Sequence, residues 1–322
     1  MTGLSAEASA GGREAADSAA EALDTLAKNG KSFYWASRLL GRRMAADAAE
    51  LYSFCRLLDD IADGDADGGK DRLSAIRNQL LILNDRAMPE EVDPALARYL
   101  SVMRRCAIPV MPMIHLLDGL LLDQSPMLVE DEAELVKYAY HVAGAVGLLM
   151  CPVLGCRDRA AFCFAVDMGI AMQLTNIARD ILEDAHLGRR YLPQSWCGPL
   201  TPQEIISCSA DPDTASYQAV QAAADRLLML ADRYYESGRA GLGYLPFRAR
   251  IGIAVAGQVY RRIGVRLRAR GLSWGDGRVV TSAAEKLSAS VTALTQVNTG
   301  KRFVHNQNLH QPIADLMAEA MR

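Results

Sequence analysis

Leu51-Tyr52-Ser53-Phe54-Cys55-Arg56-Leu57-Leu58-Asp59-Asp60-Ile61-Ala62-Asp63 is apolar enough for burial, yet it carries an ordered polar set. On a helix turning about 100° per residue, Tyr52, Arg56, Asp59 and Asp63 share a narrow sector, being spaced by four, three and four. Leu51, Phe54, Leu58, Ile61 and Ala62 cover much of the remaining circumference. A second stretch, Gln173-Leu174-Thr175-Asn176-Ile177-Ala178-Arg179-Asp180-Ile181-Leu182-Glu183-Asp184, repeats the design. Gln173, Asn176, Asp180 and Asp184 fall on one face, with Leu174, Ile177, Ile181 and Leu182 elsewhere. Two polar stripes in otherwise apolar helices predict an all-α, single-domain architecture, its helices arranged around a central apolar cavity.

Two solvated acidic faces would be the plain reading of these stripes. Electrostatics argues against it. Like charges at i,i+4 cost a helix ~0.2–0.5 kcal/mol when exposed, and more where water is excluded. On the first stripe only Arg56 stands near the acids, and neither aspartate pair has a lysine at i±4. A divalent cation resolves the repulsion. Paired carboxylates with open positions suit Mg²⁺, which keeps waters and accepts phosphate oxygens. Two such helices facing each other would clamp a diphosphate through bridging metal ions.

Around these stripes the chain reads as helix throughout. Further helices are expected at 33–40, 44–63, 70–83, 94–106, 112–124, 132–150, 159–183, 202–207, 214–238, 247–270 and 282–292. Strand signals are nearly absent. The turn-rich loop at 64–69 and the proline-bearing stretches at 88–93 and 192–202 separate helices without being long enough to part domains. The expected organisation is a flexible N-terminal tail over 1–27, one all-helical domain over 28–295 and a C-terminal tail over 296–322.

With 35 basic and 38 acidic residues the net charge is −3, which gives no support to a nucleic-acid partner held by a basic surface. Half the residues are hydrophobic, which excludes an intrinsically disordered chain. Seven cysteines without zinc-ligand spacing read as reduced thiols in a cytoplasmic protein. The first residues carry acids and no apolar run, unlike a secretory signal. The longest uncharged stretch, 142–156, is too short and too interrupted by Pro152 and glycines to span a membrane. Peripheral membrane contact stays open. Arg261, Arg262, Arg266, Arg268 and Arg270 form a basic run that reads slightly better as a solvated face than as a patch for anionic headgroups.

The motifs taken together resemble the squalene/phytoene synthase family. The likeness is carried by Lys31-Ser32-Phe33-Tyr34-Trp35, by the two aspartate stretches, by Tyr138-Ala139-Tyr140-His141-Val142-Ala143-Gly144, by Gly188-Arg189-Arg190-Tyr191-Leu192-Pro193 and by Gln258-Val259-Tyr260-Arg261-Arg262-Ile263-Gly264. It covers roughly residues 28 to 290. The Asn176–Asp180 string, Asp184-Ala185, Trp196 and Gly243-Tyr244-Leu245-Pro246 are most similar to the bacterial phytoene-forming branch. The resemblance implies an isoprenoid synthase fold and the head-to-head condensation of two prenyl diphosphates. By the same resemblance Asp59, Asp60 and Asp63 belong to a first Mg²⁺ site, where Mn²⁺ can substitute, and Asn176, Asp180 and Asp184 to a second. Arg56, Arg179 and Arg189 would meet diphosphate oxygens, and Tyr52, Gln173 and Tyr260 would line the pocket. Tyr138 and Asp123 match further family positions and join Arg56 and Arg179 as candidates for catalysis. Gly30 stands where relatives often carry a hydroxyl, so that contact is expected to be either missing or taken over by Ser32.

The implied chemistry is ionisation of an allylic diphosphate inside a dry pocket, attack by the second double bond to give a cyclopropylcarbinyl diphosphate, and a second ionisation. Proton loss then gives phytoene; hydride capture gives squalene. Tyr138, Tyr140, His141 and the released diphosphate are candidate bases. No GxGxxG follows a strand, so no NADPH is expected. Use of farnesyl diphosphate is the alternative, giving dehydrosqualene, presqualene diphosphate or squalene. Prenyl transfer to another acceptor and a non-catalytic prenyl-lipid-binding protein both fit less well, the second because both aspartate motifs are intact.

Overall fold

A computed structural model describes residues 21–279, 281–296 and 303–322. The helices are α1 (Lys31–Ser37), α2 (Arg42–Asp63), α3 (Gly69–Asn84), α4 (Pro94–Cys106), α5 (Met111–Leu122), α6 (Glu132–Ala139), α7 (Ala145–Val153), α8 (Phe162–Arg179), α9 (Ile181–His186), α10 (Gln194–Cys197), α11 (Pro202–Cys208), α12 (Ala215–Ala240), α13 (Phe247–Ala269), α14 (Ala283–Gln296) and α15 (Ala314–Ala320). Among the described residues there is no strand, only an isolated bridge between Leu128 and Arg190.

Periodicity explains which helix faces are buried. On α2, Leu51, Leu58 and Ile61 are fully buried and Phe54 stacks on Tyr99 of α4 at 4.4 Å between ring centroids. Each such side chain contributes about 1.5–3 kcal/mol on burial. With α3, α4 and α5 this face forms one apolar cluster. A larger cluster gathers around α8, α12 and α13. The central cavity lies between the two clusters and takes walls from both.

Two expected helices are interrupted. The stretch 132–150 contains a π-helical turn, Tyr140–Gly144, between α6 and α7. Here the chain runs backbone to backbone against α8: a Cβ at Gly147 would sit 2.3 Å from the carbonyl oxygen of Ala165, and one at Gly169 2.3 Å from that of Ala143. The stretch 159–183 breaks at Asp180, whose φ of −107° and ψ of 18° end α8 and begin α9. Two apolar stretches, Glu132–Val153 and Arg159–Arg179, have the length and composition of a membrane span, but over half of each apolar window is buried inside the protein.

Residues 303–322 do not trail as a tail. Leu309, Ile313 and Met317 are buried, Tyr234 donates to the carbonyl of Leu309 at 2.8 Å, and His305 and His310 reach Asp167 of α8. Leu309, Ile313 and Met317 are spaced by four, a short helical period beyond the last helix expected from the sequence. At the other end, residues 21–29 are helical and bury Ala22 and Leu26, so the packed domain begins before residue 28; residues 1–20 lie outside the described residues. The basic run on α13 is largely neutralised. Arg261 and Arg268 pair with Asp232 at 2.7 and 2.8 Å, Arg268 with Asp225 at 2.9 Å, and Arg266 with Glu285 at 2.8 Å. The solvated-face reading fits these pairs.

Candidate active site

The first acidic stripe lies at the C-terminal end of its helix, and the second straddles the junction of α8 and α9, with Asp184 in the first turn of α9. Asp59, Asp60 and Asp63 occupy the last turn of α2, and Asp180 caps α8. Helix C-termini carry unpaired carbonyls and partial negative charge, so a carboxylate there is disfavoured by ~0.3–1 kcal/mol. Chain and dipole thus combine into a strongly negative focus.

A cavity of about 420 Å³ opens at this focus. Ser37, Tyr52, Arg56, Asp59, Asp123, Tyr138, Gln173, Asn176 and Tyr260 are its polar lining. The remaining wall is almost wholly apolar, including Val142, Ala143, Met168, Met172 and Leu242. Asp60, Asp63, Asp180, Asp184, Arg179 and Arg189 do not line the cavity, and Asp60 and Asp63 connect to its wall through arginines. Arg189 lies 3.5 Å from Asp63 and donates to the carbonyl of Asp123 at 3.2 Å. Asp60 pairs with Arg56 at 2.5 Å, and Arg56 also holds Asp59 at 2.8 Å. Asp180 takes a two-pronged contact from Arg179, Nε to Oδ1 at 2.8 Å and Nη2 to Oδ2 at 2.5 Å.

The carboxylates feel one another. Burial, with Asp63, Asp60 and Asp123 nearby, pushes Asp59 up to about 6 although Arg56 pulls the other way. Burial and the neighbouring Asp180 push Asp184 up to about 8, against the pull of Arg189. Asp123, between the two sets, is raised by burial while hydrogen bonds from Tyr191 and Tyr138 oppose the rise. Two buried polar atoms lack partners at this place: Arg56 Nε, a donor, and Asn176 Oδ1, an acceptor. A donor and an acceptor both left waiting fit an anion accompanied by a cation.

Several expectations need revision. Ser32 is half-buried and does not line the cavity; Ser37, a turn and a half further along α1, does. Gly30 is small for another reason, since a Cβ there would stand 2.9 Å from the hydroxyl oxygen and Cζ of Tyr52. Tyr140 is fully buried off the cavity, bonded to His115 at 2.8 Å, and His141 contacts the carbonyl of His115 at 2.9 Å. Neither lines the wall. Sequence reasoning missed two participants. Tyr191 donates to Asp123 Oδ1 at 2.9 Å and stacks on Tyr138 at 4.5 Å. Arg278 reaches Asp180 from a distant loop, Nε to Oδ1 at 2.8 Å and Nη2 to Oδ2 at 3.1 Å. No periodic signal marks that loop position.

Comparison with known proteins agrees with this geometry. A family model described as squalene/phytoene synthase matches residues 26–285. The chain is 36% identical over 293 residues to a 15-cis-phytoene synthase of Pantoea ananas, covering 88% of this chain and 93% of that one. It is 35% identical over 249 residues to a phytoene synthase of Thermus thermophilus, covering 77% and 83%. Among solved structures, a dehydrosqualene synthase in complex with ligand superposes with a TM-score of 0.76 at 28% identity, covering 88% of this chain and 97% of that one. A squalene synthase of Alicyclobacillus acidocaldarius, at 21% identity and a TM-score of 0.68 over 80% and 96%, shares the fold.

Proposed function

The chain belongs to the squalene/phytoene synthase family, and we propose that it condenses two molecules of geranylgeranyl diphosphate head to head, through a cyclopropylcarbinyl diphosphate, into phytoene. The observation that carries this reading is one continuous cavity with an acid- and tyrosine-lined mouth and a long apolar interior. An allylic diphosphate has the same two parts.

Donor chemistry at the mouth fits a divalent cation: carboxylates clustered at the C-terminus of α2 and at the junction of α8 and α9, and the unpartnered Asn176 Oδ1. Asp59, Asp60 and Asp63 would hold Mg²⁺ on one side and Asn176, Asp180 and Asp184 on the other, with Mn²⁺ as a substitute. Bound there, the cation supplies Lewis-acid neutralisation of the departing diphosphate. Arg56, Arg179, Arg189 and Arg278 bind the phosphate oxygens through charge-assisted hydrogen bonds. Tyr52, Gln173 and Tyr260 border the same oxygens. Tyr138, kept protonated by burial and oriented by Asp123, donates rather than accepts. The apolar wall keeps water from the allyl cation. With Tyr140 and His141 off the cavity, the released diphosphate is the base for the final proton loss, and NADPH takes no part.

Hydrocarbon substrate tails and a wholly apolar product favour working at a membrane surface from the cytoplasmic side. Exposed Phe247 and Leu39 stand near Arg248, whose guanidinium approaches Gly41 at the start of α2. Sedimentation with anionic vesicles, compared with neutral ones, tests this contact. The reaction itself is tested by product analysis with C15 and C20 diphosphates, each with and without NADPH. A C40 hydrocarbon formed from the C20 diphosphate without NADPH is expected. A dominant C30 product, or a C40 yield that requires NADPH, would overturn the assignment and favour the squalene-type reading.

A further inference from the structure

Behind the cavity wall, α8 turns a different face to the C-terminal segment. Asp167 on that face is fully buried and surrounded by donors. His305 Nε2 lies 2.8 Å from its Oδ2, His310 Nε2 2.7 Å from its Oδ1, and Ser237 Oγ 2.5 Å from Oδ2. Cys163 sits one helical turn before Asp167. One ligand atom from each of Cys163, His305 and His310 lies within 4.8 Å of the other two. None of these residues lines the cavity, and the reaction proposed above uses none of them.

We propose that Cys163, His305 and His310 form a structural site for a thiophilic divalent cation, Zn²⁺ first among them, which staples residues 303–322 to α8. Donor type is the first argument. One thiolate and two imidazoles suit Zn²⁺ and its borderline-soft neighbours, and suit Mg²⁺ poorly, so this site is chemically separate from the carboxylates at the cavity mouth.

Orientation is the second. Both Nε2 atoms face one carboxylate, so the site as proposed takes the metal through the Nδ1 atoms, which would leave those hydrogen bonds in place. That is the carboxylate–histidine–metal arrangement in which an outer carboxylate fixes the ring and raises its basicity. Charge is the third. Asp167 is fully buried and Cys163 half-buried; an Asp167 carboxylate and a Cys163 thiolate together carry two negative charges, which a divalent cation brings to neutrality. On binding, the Cys163 sulfur–hydrogen bond breaks, the sulfur keeps the electron pair as ligand, and the proton goes to solvent.

The test uses full-length protein stripped of metal and titrated with Co²⁺, then Zn²⁺. Expected is one equivalent of Co²⁺ with a sulfur-to-metal charge-transfer band in the near ultraviolet, displaced by Zn²⁺ and unaffected by excess Mg²⁺. Cys163→Ser should lose the band while circular dichroism stays native, and Asp59→Ala should keep it. Asp167→Asn should weaken binding by about 10–100-fold as an orienting partner. Zn²⁺ should raise the unfolding temperature of the parent protein and leave that of Cys163→Ser unchanged. Absence of the band in the parent, or its persistence in Cys163→Ser, would overturn the proposal.

Discussion

The hydroxyl of Tyr138 donates to Oδ2 of Asp123 at 2.9 Å. Oδ1 of the same carboxylate accepts from Tyr191, so a single aspartate holds two stacked phenols. Only Tyr138 of the two reaches the cavity. Tyr138→Phe keeps the stacked ring and removes the donor, and the loss of a hydrogen bond to a charged group costs about 1.5–3 kcal/mol. If that bond is felt in the transition state, kcat falls about 10–100-fold. Tyr191→Phe should fall less, since its ring acts through Asp123. Steady-state kinetics of both variants checks the order; equal losses would remove the special place given to Tyr138.

Metal dependence follows from the paired carboxylates. Activity should vanish on chelation and return with Mg²⁺. Asp59→Ala or Asp180→Ala should lower turnover by orders of magnitude without unfolding the protein. The two differ in what they release. Asp59→Ala relieves crowding among Asp60, Asp63 and Asp123, so its metal-free form should be no less stable than the parent. Asp180→Ala frees both Arg179 and Arg278 from their carboxylate partner. Thermal unfolding in chelator, set beside kinetics in saturating Mg²⁺, separates these effects; near-normal rates in either variant would refute its role.

Asp184 gives a pH dependence whose sign is fixed. Burial and Asp180 raise it from the usual carboxylate value to about 8 in the folded protein. A raised carboxyl binds more protons folded than unfolded, so its contribution is fully present below the unfolded value, near 4. That contribution is lost as pH rises through about 8. In metal-free protein, Asp184→Asn should therefore flatten the fall in unfolding temperature between pH 5 and about pH 8. An unchanged slope would show that Asp184 stays ionised in that window.

Arg278 joins Arg179 on Asp180, and its guanidinium is more exposed than that of Arg179. Being the more exposed of the two, it gives up less packing on transfer to a phosphate oxygen. Arg278→Ala should weaken binding of inorganic diphosphate by about tenfold, the scale of one charge-assisted hydrogen bond. Arg278→Lys should recover only part, because the two-pronged geometry is lost. Isothermal titration of both variants decides; parent-like affinity in Arg278→Ala would make the residue a partner of Asp180 alone.

The site was legible wherever helical spacing carries it. Tyr52, Arg56, Asp59, Gln173 and Asn176 declare themselves by falling on one face of an apolar helix, and all of them line the cavity. Arg278 and Tyr191 lie outside long helices, where spacing has no period, so only the folded chain brings them to Asp180 and Asp123. The break at Asp180 was hidden for a related reason. Its sequence is good helix material, and the interruption coincides with guanidinium contacts from Arg179 and Arg278 that a local reading cannot contain. The C-terminal segment packs through a short apolar stripe, Leu309, Ile313 and Met317, together with polar anchors that sequence alone does not mark as buried. His305 and His310 count against burial until Asp167 is seen between them.

On the proposed reaction, chain-length selection falls to the apolar part of the cavity. Its wall follows α8 from Asn176 at the mouth through Met172, Gly169, Met168 and Ala165 to Phe164. At about 1.5 Å per residue that wall runs roughly 18 Å. Ala161 closes it beyond Phe164, with Cys151 and Leu154 also at the wall. Small residues there leave room for a fourth isoprene unit, and each further buried CH₂ is worth ~0.8 kcal/mol. Gly147 also lines the cavity, yet its smallness is needed against the Ala165 carbonyl and is a poor place to intervene. Ala161→Phe is the probe chosen, because Ala161 lines the cavity and already carries a Cβ. In a competition between equal C15 and C20 diphosphates the parent should yield mainly C40 product. Ala161→Phe should shift the ratio toward C30 by about tenfold or more, the equivalent of two buried CH₂ groups. A ratio unchanged in a variant that still folds and turns over would place the end of the chain elsewhere in the cavity.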